Sequence, residues 1–112
     1  MRKELMGIAA SDGVVEARCR WIESAEDLRA FESGEIILAR MTSPDWGSVF
    51  DRAGGVATME GGMLCHAALV ARECGIPAVV GIGVELRGII GGTTVEIDGS
   101  NGLVKGDLTG DI

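Results

Sequence analysis

Positive charge is scarce in this sequence: 10 Lys and Arg stand against 17 Asp and Glu, a net charge of −7. Binding to nucleic acid needs clustered Lys and Arg to neutralise phosphates, so that class of partner is excluded, and the acidity is read as solubility. Cysteine is sparse and odd in number, with Cys19, Cys65 and Cys74 forming no CxxC pair. That excludes a disulfide framework and points to a reduced, cytoplasmic protein. No signal peptide and no apolar run of membrane-spanning length occurs; Ile76 to Ile82 is apolar, but short and broken by Gly81, so it reads as a buried strand. Proline occurs twice and tyrosine not at all, whereas glycine occurs 18 times, which implies many tight turns or a backbone that approaches something closely. The 112 residues, 46% of them hydrophobic, supply one core and therefore one domain, residues 1–112.

Local signals divide the chain into short elements. Met1 to Met6 is a mixed-charge lead-in that reads as frayed. Beyond a Ser11-Asp12-Gly13 turn, Val15, Ala17, Cys19 and Trp21 alternate with Glu16, Arg18 and Arg20, the pattern of a half-buried strand. Ser24 with Asp27 three residues on marks the start of a short helix that Gly34 ends. "EIILAR" is an apolar strand, and Ser43 followed by Pro44 starts another short helix. A strand in "AGGVATM" leads to a helix from about Cys65 to Cys74, stopped by Gly75 in a left-handed cap. "PAVVGI" is a strand, Val84 to Arg87 a weak helical turn, and "TTVEIDG" with "GLVKG" a closing hairpin. Many short strands with few helices predict sheet layers covered by one helical layer, an α/β arrangement.

The only histidine, His66, falls at the start of the helix that follows Gly61-Gly62. On an ideal helix Leu64, Ala67, Ala68, Val70, Ala71 and Cys74 share one broad arc, while Cys65, His66, Leu69, Arg72 and Glu73 lie on the other side. His66 is thus not a core residue by position. A first turn presents unpaired N–H groups and the positive end of the helix dipole, an anion site that also opposes a cationic ring. Two glycines just ahead let backbone N–H groups approach a phosphate. A neutral, nucleophilic imidazole nitrogen in a phosphate-shaped nest is what a phosphohistidine intermediate requires.

The stretch "GGMLCHAALVARECGIPAVVG" resembles the signature of the phosphohistidine (mobile, swivelling) domain of phosphoenolpyruvate-utilising enzymes. That family includes phosphoenolpyruvate synthase, pyruvate phosphate dikinase, Enzyme I of the sugar phosphotransferase system and rifampicin phosphotransferase. Its pattern is Gly-Gly, a short variable stretch, Ser/Thr/Cys, His-Ala-Ala, an aliphatic pair, Ala-Arg, then Gly-Ile-Pro-Ala-Val. The likeness extends to "GIAASDGVVEARCRWI", with Asp12 where the family usually has Pro, to "GEIILARMTSPDWGSVFDRAGGVATMEGG", and to the hairpin "VEIDGSNGLV".

The resemblance implies a swivelling three-layer β/β/α domain whose histidine takes a phosphoryl group at one active site and delivers it at another. His66 is then the nucleophile, and Gly61, Gly62 and Cys65 support the phosphate. Arg72 matches the motif arginine and takes a phosphate-related or orienting role, reaching a phosphoryl oxygen, or else pairs only with Glu73 or Asp51. Thr58 and Glu60 either hydrogen-bond the imidazole N–H or close a turn. By the same resemblance the domain is one component of a phosphotransferase, not self-sufficient, and binds no cofactor or metal itself. Mg²⁺ and ATP or phosphoenolpyruvate belong to partner domains or proteins, with no nucleic acid and no membrane involved. Leu64 stands where pyruvate phosphate dikinase and phosphoenolpyruvate synthase carry a regulatory threonine, which argues for another branch.

Readings from other classes fare worse. Zinc would recruit Cys19, Cys65, His66 and Cys74, but neighbouring helical residues diverge by about 100° and no ligand spacing typical of zinc occurs. A Cys65 nucleophile lacks a base, because the only histidine faces elsewhere. A non-catalytic interaction module on the same swivelling fold is the remaining alternative.

Overall fold

The computed structural model describes residues 2–108. Its strands are β1 (Arg2–Met6), β2 (Ile8–Ser11), β3 (Val14–Trp21), β4 (Ile36–Ala39), β5 (Gly55–Thr58), β6 (Ala78–Val80), β7 (Thr94–Asp98) and β8 (Leu103–Asp107). Three α-helices, α1 (Ala25–Ala30), α2 (Val49–Arg52) and α3 (His66–Cys74), alternate with them, and 3-10 turns cover Pro44–Trp46 and Val84–Gly88.

The strands hydrogen-bond in the order β1-β8-β7-β3-β4-β5-β6-β2. β3 is the long member and belongs to two layers. Its residues Val14 to Arg18 pair antiparallel with β7, and Cys19 to Trp21 pair parallel with β4. From there β4, β5 and β6 run parallel, as strands joined by helical crossovers do.

Side-chain alternation shows how the layers stack. In β4, Ile37 and Ala39 enter a core with Phe31, Phe50, Ala67, Ala68 and Ala71, whereas Ile36 and Leu38 enter a second core with Val95, Ile97 and Val104. Val56 against Ala57, and Val80 against Val79, divide the same way. A strand with period two that is apolar at every position must be covered on both faces, here by the helices on one side and the β1-β8-β7 layer on the other. The architecture is therefore β/β/α in three layers, as expected.

Most local signals act where they fall. Ser24 and Asp27 form a reciprocal capping box at α1, Ser43 accepts from the Asp45 N–H ahead of its 3-10 turn, and Gly75 closes α3 at φ 71°. Three expectations are corrected. Residues 2–6 are not frayed but form the edge strand β1, in ladder from Arg2↔Asp107 to Met6↔Leu103. Only Leu5 on it is buried, so no alternation advertises the strand. α1 ends at Ala30 rather than Gly34, because its C-cap Phe31, whose ring is buried, takes an extended backbone at φ −62°, ψ 128°. Leu64 leaves the apolar arc and is 82% exposed, because it sits in the turn before α3 begins.

Candidate functional site

β4 and β5 are neighbours in parallel register, with Ala39 opposite Thr58. The ladder continues past their ends through Met59 N–H to Ala39 O at 3.0 Å and Glu60 N–H to Arg40 O at 2.9 Å. The loops at the carboxyl ends of both strands therefore run side by side, Arg40 to Ser43 beside Met59 to Cys65. That edge of a parallel sheet is where ligand sites of open α/β folds form.

His66 is the first residue of α3, at this edge. Its Nδ1 lies 2.7 Å from Oγ1 of Thr42, which is buried. Phe50, on α2, meets the imidazole edge to face at 5.8 Å between ring centres and 82° between planes. These two contacts fix the ring's rotation, and Nε2 has no hydrogen-bond partner among the described residues. Cys65 occupies the N-cap position but makes no side-chain cap. The N–H groups of Gly61 to Leu64 and of His66 to Ala68 likewise find no acceptor among the described residues, leaving the helix start open to an anion.

A cleft of about 160 Å³ is lined by Met41, Thr42, Thr58, Glu60, Gly61, Cys65, His66 and Ala67. A larger, more open depression shares Met41 with this cleft and includes Arg40, Trp46 and Arg87 but not His66. The two glycines differ in kind. Gly61 has φ +122°, and a Cβ there would lie 2.7 Å from Cys65 Sγ, so conformation and packing both demand glycine. Gly62 has no such φ and nothing within 4 Å of a Cβ. Neither strain nor crowding among the described residues requires glycine at that position.

The remaining sequence candidates fall as follows. Thr58 is fully buried and donates to Glu60 O at 2.6 Å, closing a turn instead of touching the imidazole. Glu60 pairs with Arg40 at 2.7 Å on the surface. The ring's partner is Thr42, which sequence reasoning missed; it lies 24 positions upstream, and only the pairing of β4 with β5 brings it near. Arg72 pairs with neither Glu73 nor Asp51: its Nε donates to Ala10 O and its Nη2 to Met63 O, each at 2.7 Å.

The thiols separate as well. Burial pushes the Cys74 thiol up, and the Asp51 carboxylate beside it adds to this; burial also pushes up that of Cys19. Among the described residues no three His, Cys, Asp or Glu side chains gather as a metal site would need. Among the described residues no helix is long and apolar enough to cross a membrane.

Two packed β layers under one helical layer, with an imidazole at the open helix start on the sheet's carboxyl edge, define a three-layer β/β/α domain with a histidine site. The PEP-utilising enzyme, mobile domain, family matches residues 31–102. A probable phosphoenolpyruvate synthase of Archaeoglobus fulgidus is 41% identical over 100 residues, covering 89% of this chain and 13% of that protein. The uncharacterized phosphotransferase YvkC of Bacillus subtilis is 38% identical, covering 89% of this chain and 12% of that protein. Among solved structures, that of the Enzyme I protein nEIt superposes with a TM-score of 0.59 at 34% identity, over 69% of this chain and 32% of that one.

This chain belongs to the mobile-domain family of PEP-utilising enzymes. It spans about an eighth of the length of these two curated relatives. The expectation from Leu64 that the chain lies outside the phosphoenolpyruvate synthase branch gains no support, since a probable synthase is 41% identical and YvkC 38%.

Proposed function

We propose that this chain is a phosphoryl-carrier domain in which His66 Nε2 is transiently phosphorylated. The observation that carries the reading is the held imidazole: Nδ1 is bonded to Thr42 at 2.7 Å, while Nε2, at a helix start without a side-chain cap, has no partner among the described residues. With Nδ1–H donating to Thr42 Oγ1, the lone pair is on Nε2. That lone pair forms a bond to phosphorus, the bond from phosphorus to the donor's bridging oxygen breaks, and the electron pair leaves with that oxygen. As the N–P bond forms the ring gains positive character, so its Nδ1–H becomes a stronger donor to Thr42. This interaction strengthens towards the transition state, which is the kind that accelerates a step. Phosphoryl oxygens are received by the free N–H groups before and within the first turn of α3. Delivery reverses the sequence: an acceptor oxygen attacks phosphorus and the N–P electrons return to Nε2.

The donor, ATP or phosphoenolpyruvate, its Mg²⁺ and the acceptor are bound by partner domains or proteins. The chain is thus one component of a phosphotransferase, and alone it is expected to turn over neither ATP nor phosphoenolpyruvate. The test is incubation of the chain with a cognate nucleotide-binding partner and labelled ATP, and separately with a phosphoenolpyruvate-binding partner and that donor. The expected product is an acid-labile, base-stable adduct on His66, absent from His66→Ala. A label that survives His66→Ala, or turnover by the isolated chain, overturns the reading.

A further inference from the structure

We propose that Arg72 is a positioning residue for the phosphoryl-accepting centre, acting on it through the Met63 carbonyl; this rests on the carrier reading above. Arg72 sits in the last turn of α3 and reaches back along the helix to the loop that precedes it. The guanidinium uses two donors at once: Nε holds Ala10 O on β2 and Nη2 holds Met63 O, both at 2.7 Å, with Met63 Sδ at 3.8 Å. Among the described residues it has no carboxylate partner, so its full charge bears on two neutral carbonyls.

The loop has little else to hold it. Gly62 meets no neighbour at its Cβ position, Met63 is 49% exposed and Leu64 82% exposed. Within residues 61–64 the other hydrogen bond among the described residues is local, Cys65 N–H to Gly62 O at 3.1 Å. Arg72 is therefore the loop's tether to the sheet.

The tether sets the direction of a donor. The peptide linking Met63 to Leu64 is trans, and in a trans peptide the C=O and the following N–H point in opposite directions. Holding Met63 O towards Arg72 turns the Leu64 N–H away from it, and that N–H is one of the loop's free donors. Arg72 itself lines a shallow depression with Ala9, Ala10, Ser11, Asp12, Met63 and Gly75. None of these residues lines the cleft of His66. The guanidinium thus acts on the centre through the backbone rather than by contact with a phosphoryl group.

A planar fork serves two carbonyls, whereas an ammonium is a point donor that keeps the charge and loses the bidentate geometry. The discriminating variant is therefore Arg72→Lys, with Arg72→Ala as the full deletion and Ser24→Ala, at the remote cap of α1, as a control for general destabilisation. The 112-residue chain is treated with phosphoramidate, which transfers its phosphoryl group to an imidazole nitrogen and releases ammonia. Phosphohistidine is followed by ³¹P NMR and the loop amides by ¹H–¹⁵N spectra.

In the parent, phosphorylation of His66 should shift the Leu64 amide. In Arg72→Lys the phosphorylation rate should fall about tenfold or more and the Leu64 shift should shrink, while Ser24→Ala keeps both. An Arg72→Lys chain phosphorylated at the parent rate with the parent Leu64 shift overturns the assignment and leaves the carrier reading standing. A parent chain whose His66 takes no label overturns the carrier reading, and this one with it.

Discussion

Thr42 Oγ1 lies 2.7 Å from His66 Nδ1 although the two residues are 24 positions apart. One stands in the loop after β4 and the other at the start of α3, and the parallel pairing of β4 with β5 joins them. Thr42 is buried, so its hydroxyl does not exchange this bond for water, and the bond holds the imidazole in one rotation.

Thr42→Val keeps the shape of the side chain and removes that acceptor. Phosphoryl transfer to His66 should fall about 10- to 100-fold, while Thr42→Ser should stay close to the parent. Rapid-quench measurement of phosphohistidine formation checks this. A Thr42→Val chain as fast as the parent would mean that the bond is incidental to the chemistry.

Gly61 and Gly62 should respond in opposite ways. Gly61→Ala places a Cβ 2.7 Å from Cys65 Sγ at φ +122° and should cost about 1–3 kcal/mol of stability. Gly62→Ala meets nothing among the described residues and should change stability by no more than about 0.5 kcal/mol. It should nevertheless slow phosphoryl transfer, because its methyl group narrows the approach to the loop amides. Denaturant melts beside transfer rates separate the two effects. Equal stability losses at both positions, or an unslowed Gly62→Ala, would sink the distinction.

Cys65 packs against Gly61 without capping α3. A serine there is close in size and a better cap and donor, so Cys65→Ser should keep transfer or raise it. Cys65→Leu should impair it, because the added bulk crowds Gly61 and the cleft. Thiol catalysis predicts loss with serine instead. Transfer rates under reducing conditions decide, and a Cys65→Ser chain as inactive as His66→Ala would refute the carrier reading of this pair.

The Arg20–Glu35 pair predicts an acid-sensitive fold. Burial pushes the Glu35 carboxyl up, but the two hydrogen bonds from Arg20, at 2.7 and 3.1 Å, and the Glu32 N–H more than offset this and hold it below the usual carboxylate range. A carboxyl lowered in the folded state binds its proton more readily when unfolded. Its contribution is therefore complete above the ordinary glutamate value and is lost as the pH falls through the lower, folded one. Glu35→Gln should cost about 1–3 kcal/mol near neutral pH and flatten the acid limb of a stability–pH curve. Parent and variant curves that fall in parallel between neutral and acid pH would contradict this.

The sequence by itself determined whatever is decided within a few residues of chain. The Ser24–Asp27 capping box, the Ser43-Pro44 start, the left-handed Gly75 and the alternation along β3 are all local, and each acts where it was read. The motif around His66 is likewise a single continuous stretch, which is why the family and the three-layer fold are legible in the sequence. Tertiary structure alone decided which side chains meet. β1 is invisible in a pattern of exposed charges, because its bonds are backbone bonds to β8 at the other end of the chain. Thr42, not Thr58 or Glu60, holds the imidazole, and Arg72 holds carbonyls 9 and 62 positions away instead of a carboxylate close by. Such partners are set by strand order and register, and a side chain's own neighbours in sequence carry no record of which strand will lie beside it.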